Sequence, residues 1–126
     1  MKLRIKGASL RLRLTQAEMH ALDERGVIEE EVPFAAGTRL VYRLRRDPAA
    51  ADIAAAYEGN VLEIRVPERA AREWCTTQLV TLSREQPLAQ GALRIVLEKD
   101  YACLAPRADE DESDNFPHPQ SGRGRC

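Results

Sequence analysis

At 126 residues the chain is long enough to close a single hydrophobic core and leaves little beyond it except a tail. Charged residues make up 31% and aromatics 5%, so the interior must be built from Leu, Val, Ile and Ala. The formal net charge of −1 divides into a slightly basic body, with seventeen Lys/Arg against fifteen Asp/Glu over residues 1–107, and an acidic end, with two against five over residues 108–126; neither imbalance announces a nucleic-acid or membrane binder.

The opening segment reads as a β-hairpin. Leu3 and Ile5 alternate with Lys2, Arg4 and Lys6, while Leu10, Leu12 and Leu14 alternate with Arg11 and Arg13. Gly7-Ala8-Ser9 supplies the reversal, and pairing Gly7 with Leu10 sets Ile5 opposite Leu12 and Leu3 opposite Leu14. Period-2 geometry then gathers the five cations on one face. Thr15-Gln16-Ala17-Glu18 is a capping box, and the helix it opens should end near Arg25 at Gly26, with Met19 and Leu22 inward.

Val27–Val32 is the next strand candidate, although three glutamates are poor strand formers. Pro33–Gly37 turns the chain. Thr38–Arg45 alternates again, with Leu40, Tyr42 and Leu44 on one face. A helical turn is expected at 49–51, then strands from Ile53 and over Val61–Val66. Pro67 opens a second helix at its favoured first position, with Ala70, Ala71, Trp74 and Cys75 inward. Strands over Leu79–Leu82 and Ala92–Leu97 complete the pattern. From Ala105 onward, prolines and acids replace the alternation, and the composition buries too little apolar surface to offset ordering.

The second half reads as a copy of the first. A shift of 52 positions lays Gly7–Leu14 on Gly59–Val66, matching Leu10 with Leu62 and Arg13 with Arg65. Pro33 and Gly37 meet Pro87 and Gly91 after a small insertion. The expected fold is therefore mainly β (α+β): a small pseudo-twofold barrel of two ββαββ repeats with two short helices. One domain spans residues 1–104, with repeats at 1–47 and 52–100, and residues 105–126 form an acidic, proline-containing, largely flexible tail.

Two family resemblances follow. Met1 to Thr15, Glu98–Leu104 and the stretch from Asp114 to Pro119 resemble a bacterial family of small cytosolic proteins of unknown function, which implies no activity but places 101–104 and 115–117 within the fold. Leu62-Glu63-Ile64-Arg65-Val66-Pro67-Glu68, leading into a helix and two strands, is similar to the unit of the transition-state-regulator DNA-binding domains. Those are cradle-loop barrels. The first half departs from that pattern, carrying Thr15 where the pattern wants proline.

For function, the sharpest candidate is the cationic hairpin face of Lys2, Arg4, Lys6, Arg11 and Arg13, with Arg39, Arg43 and Arg45 as an extension. Like charges opposed across strands call for an anion, so an anionic ligand or acidic protein surface is the implied partner. The competing reading pairs these cations with Glu29, Glu31 or Glu98 on an ordinary solvated exterior. Exposed aromatics are too few for stacked bases, which ranks nucleic acid lower. No cofactor is implied. Cys103, His118 and Cys126 lack zinc-site spacing, and no serine or cysteine can be set beside His20. The alternatives to a non-enzymatic module are a small enzyme with a cleft between the halves or a fused relative of the DNA-binding barrels. No apolar run approaches the roughly 18 residues that cross a bilayer. A charged N-terminus without a hydrophobic region and three scattered cysteines point to the cytoplasm.

Overall fold

Alternation of aliphatic and charged residues, broken at glycine and proline, yields the order β1 (Lys2–Ile5), β2 (Ser9–Leu14), α1 (Gln16–Arg25), β3 (Val27–Pro33), a 3-10 turn (Ala35–Gly37), β4 (Arg39–Asp47), β5 (Ala54–Glu58), β6 (Val61–Pro67), α2 (Glu68–Thr76), β7 (Thr81–Pro87) and β8 (Ala92–Lys99). The computed structural model describes residues 1–101 together with Asp114 and Phe116. Residues 102–104 and the rest of the expected tail, and with them Cys103, His118 and Cys126, lie outside the described residues.

Two four-stranded sheets form, in the orders β1-β2-β8-β7 and β3-β4-β6-β5. Their central pairs, β2 with β8 and β4 with β6, are parallel, and each is flanked by an antiparallel hairpin. Each sheet therefore takes one hairpin from the first half of the chain and one from the second. Leu12, Leu14, Leu22, Leu44, Ile64, Val66, Trp74, Ile95 and Leu97 are all under 2% exposed, so both sheets and both helices build one core.

The expected closed barrel is not found among the described residues. The ladders end at β1 and β7 in one sheet and at β3 and β5 in the other. Side chains bridge where backbones do not. The Gln86 side-chain amide on β7 accepts the Ala55 N–H at 2.7 Å and donates to the Ala55 carbonyl at 3.0 Å, which imitates one rung of a ladder. Strands separated by an intervening side chain stand too far apart for the roughly 4.8 Å spacing of direct pairing. Arg84 Nη1 donates to the Ile53 carbonyl at 2.5 Å. On the other side, the Met1 ammonium pairs with Glu18 on α1 and with Glu30 on β3, and the Tyr42 hydroxyl stands 3.0 Å from the Met1 carbonyl oxygen.

The first hairpin keeps its expected face but not its expected register. Ile5 pairs with Leu10 and Leu3 with Leu12, two residues away from pairing Gly7 with Leu10. The left-handed φ of 52° at Gly7 belongs in the reversal itself, so Gly7-Ala8 is the turn and Lys6 N–H bonds the Ser9 carbonyl at 3.1 Å. A slip of two leaves the same side chains inward. The β5–β6 hairpin turns through Gly59-Asn60, both with positive φ, as two-residue hairpin loops favour.

Helix α1 starts as its sequence requires. Thr15 Oγ1 accepts the Glu18 N–H at 3.3 Å, while a Glu18 carboxylate oxygen accepts the Thr15 N–H at 2.9 Å. It ends at Gly26, φ 78°, where Arg46 Nη1 donates to the Asp23 carbonyl at 2.8 Å and answers the negative end of the helix. A turn at Pro48–Ala49 replaces the expected helical turn, held by the Ala49 N–H on Asp47 Oδ1 at 2.9 Å. Strand β7 begins at Thr81, not Leu79, and just before it the Val80 carbonyl accepts both the Trp74 indole N–H at 2.9 Å and the Lys99 N–H at 3.1 Å. Phe116 is 98% exposed, and Asn115 and Pro117 lie outside the described residues.

Candidate functional site

The two sheets turn their charged residues outward, and each outer face gathers arginines around a single glutamate. On the first sheet the register sets Lys2 opposite Arg13 and Arg4 opposite Arg11. Parallel pairing then brings Arg13 beside Glu98 and Arg11 beside Val96. Arg11 Nη1 lies 3.2 and 3.1 Å from the two Glu98 oxygens, and Arg13 Nε donates to Oε1 at 2.5 Å. This cluster is sheltered: the Glu98 side chain is 9% exposed and that of Arg11 is 11%. Val96, on the same outward row, is buried as well. Lys2 reaches Asp100 at 3.0 Å with its side chain 75% exposed, and Arg4 and Lys6 are exposed.

The five hairpin cations therefore do share one face, in two tiers. Lys2 and Arg4 stand outermost on the edge strand β1, with Lys6 just past its end. Arg11 and Arg13 lie deeper and are engaged by Glu98. Glu29 and Glu31 serve other partners, Arg43 at 2.8 Å and Arg39 at 3.5 Å. Those arginines and Arg45 do not extend the hairpin face. They sit on β4, which pairs with β3 and β6 in the other sheet.

There they form a second cluster. Arg45 stands directly opposite Arg65 across the parallel pair, and Arg43 opposite Glu63. Glu63 accepts from Arg65 Nε at 2.7 Å, Arg43 Nη1 at 3.0 Å and Arg45 Nη2 at 3.5 Å. Arg45 also reaches Asp47 at 3.5 Å. An open cavity of about 860 Å³ lies over this network, with Arg25, Arg43, Arg45, Arg65, Glu29 and Glu63 around it. Sequence reading missed Arg25, Glu63 and Arg65 as members. The one available signal was the alignment of Arg65 with Arg13 under the 52-residue shift.

Glu63 is the strongest electrostatic anchor of the face. The hydrogen bond from Arg65, then those from Arg43 and Arg45, pull its carboxyl down to about 2 against partial burial, which raises it. A carboxyl lowered in the folded state stabilises the protein above its ordinary value of 4.5, and that contribution disappears as pH falls toward about 2. With solvent screening discounted, the effect is on the order of 1 kcal/mol. Glu63→Gln should therefore be less stable than the parent at pH 7, and the gap should narrow between pH 4.5 and 2. Urea unfolding at a series of pH values measures it, and a gap that stays constant would count against this role.

His20 and Glu24 stand 3.7 Å apart on the exposed side of α1. Cys75 is half-buried on α2, and burial raises its thiol above the ordinary value. Among the described residues no group of three His, Cys, Asp or Glu side chains is placed to hold a metal ion, and no helix is long and apolar enough to cross a membrane. A family model described as a family of unknown function (DUF7009) matches residues 1–120. No curated protein and no solved structure matches the chain.

Proposed function

Since the chain belongs to that family of unknown function, we propose from geometry that it is a non-enzymatic binding module which takes an anionic partner on the outer face of the first sheet. Lys2, Arg4, Lys6, Arg11 and Arg13 are the contact residues, with no cofactor, and the site of action is the cytoplasm. One observation carries the reading: the register opposes cation to cation twice, Lys2 with Arg13 and Arg4 with Arg11. Such opposition is unfavourable unless anions lie over it. Glu98 organises the two deeper arginines, and the exposed Lys2, Arg4 and Lys6 face outward toward a partner of acidic character, such as an acidic protein surface.

In the same reading, residues 1–104 are one domain of two related ββαββ units, 1–47 and 52–100, with residues 105–126 as an acidic tail. The sheet orders support the relation: replacing β1, β2, β7 and β8 by β5, β6, β3 and β4 turns one order into the other. The outer faces differ in their chemistry, with Arg11 on β2 where Glu63 stands on β6, so the two units would serve different ligands.

Retention on immobilised heparin at low salt tests the function. The triple variant Lys2→Glu/Arg4→Glu/Lys6→Glu touches only exposed positions and should elute at markedly lower salt, as expected when phosphate-like contacts are lost. Arg69→Glu/Arg72→Glu, exposed on α2, should elute near the parent. Equal retention of the triple variant and the parent contradicts the proposal.

A further inference from the structure

We propose that the arginine-lined cavity on the second sheet is a separate binding site for a phosphate group, free or carried as a monoester on a small molecule. It stands independently of the function proposed above, on different strands and different residues. Three observations lead to it.

The first is donor supply. Each guanidinium carries five N–H donors in a rigid fork. Arg43 uses Nε on Glu29 and Nη1 on Glu63, while Arg65 uses Nε on Glu63. Arg65 thus engages Glu63 through the Nε edge of its fork, and its side chain is 47% exposed. Arginine forks match the oxygens of phosphate in pairs, which makes them the residue suited to such groups.

The second is preorganisation. Arg45 and Arg65 are directly opposed on parallel strands, an arrangement that costs energy by itself. Glu63 holds both, and Arg43 with them, so the three forks are fixed before any ligand arrives. An anion meeting them orders few side chains, which is the condition for useful affinity.

The third is charge and size. Four guanidiniums and two carboxylates border the cavity, an excess of two positive charges. Asp47 reaches Arg45 from outside it, and the site remains net cationic. A phosphate monoester carries about −1.5 to −2 at neutral pH and presents three acceptor oxygens, which paired guanidinium forks engage more fully than the two oxygens of a carboxylate. The volume of about 860 Å³ falls within the range of small-molecule sites, on the order of 300–1,000 Å³. Val27 and Ile28 supply apolar wall for an organic remainder.

Calorimetric titration of the full chain with inorganic phosphate and with phenyl phosphate, at pH 7.5 and low salt, tests the site. Saturable one-to-one binding is expected, weakened at least about tenfold in Arg65→Ala and in Arg45→Ala, since each loses a charged bidentate contact. The hairpin variant Lys2→Glu/Arg4→Glu/Lys6→Glu should bind both as the parent does. Arg65→Lys keeps the charge and loses the fork, so it should still bind several-fold more weakly; it serves if an alanine variant misfolds by circular dichroism. Tighter binding of phenyl phosphate assigns a monoester, and equal binding assigns free phosphate. Absence of saturable binding to either probe overturns the site, as does equal weakening by the hairpin variant, which would indicate diffuse charge attraction. Because the two sites share no residue, loss of heparin retention and loss of phosphate binding report on separate proposals.

Discussion

Trp74→Ala should destabilise the protein by about 3–5 kcal/mol, the range for removing a large aromatic side chain from a packed core. The indole is 0% exposed, so its removal leaves a cavity that the surrounding strands can collapse into only in part. It also donates its N–H to the Val80 carbonyl at 2.9 Å, and losing that donor strips a partner from the backbone where the chain leaves α2 for β7. Trp74→Phe separates the two effects: it keeps most of the volume and loses the hydrogen bond, so it should cost less, about 1–3 kcal/mol. Urea unfolding followed by circular dichroism measures both. A Trp74→Ala variant within 1 kcal/mol of the parent would mean that the indole is not a core anchor, since surface changes fall in that range.

Glu98→Ala should rank next, at about 3 kcal/mol, because it breaks a sheltered ion pair from one side. Arg11 and Arg13 both turn to this carboxylate. Without it, two guanidiniums with little exposure keep their desolvation cost and lose the charge that offset it, while also repelling Arg4 and Lys2 across the ladder. Glu98→Gln keeps the shape and removes the charge, so it should recover only part of the loss. Restoration of full stability by glutamine would show that packing, not charge, is what Glu98 supplies. The same variants read on function, because removing the Glu98 charge from this face should strengthen heparin retention even as the fold weakens.

The legible features of this chain were those fixed by local chemistry. The capping box at Thr15 and Glu18, the helix stop at Gly26 and the inward placement of Leu12, Leu44, Ile64, Trp74 and Leu97 follow from neighbours within a few residues, and the structure has them. Period-2 alternation fixed which side chains share a face, but it is blind to a shift of two, and so Ile5 meets Leu10 instead of Leu12. Nor does alternation say which strands pair. Arg43 and Arg45 read like an extension of the hairpin face until the parallel pairing of β4 with β6 puts them on the other sheet.

Closure was illegible for a further reason. Whether two sheet edges meet depends on spacing set by the whole core, and Gln86, a residue with no local signature, bridges the interval to Ala55 with its side chain. The burial of Val96 and Glu98 on an outward row is likewise a tertiary fact. Strand β3 shows the opposite case. Its three glutamates are poor strand formers, yet Glu29 and Glu31 find Arg43 and Arg39 across the ladder, and pairing overrides propensity.

Interlocking of the two halves is the property on which both anion faces depend, since each face joins a strand from residues 1–47 to one from residues 54–99. Expressing residues 1–50 and 51–126 as separate chains tests it most directly. Neither fragment should fold cooperatively as a monomer, because each would hold half of both sheets, and an equimolar mixture should regain the β-sheet circular dichroism and the buried Trp74 fluorescence of the intact protein. A fragment that melts cooperatively as a monomer on its own would contradict the exchange of hairpins between halves.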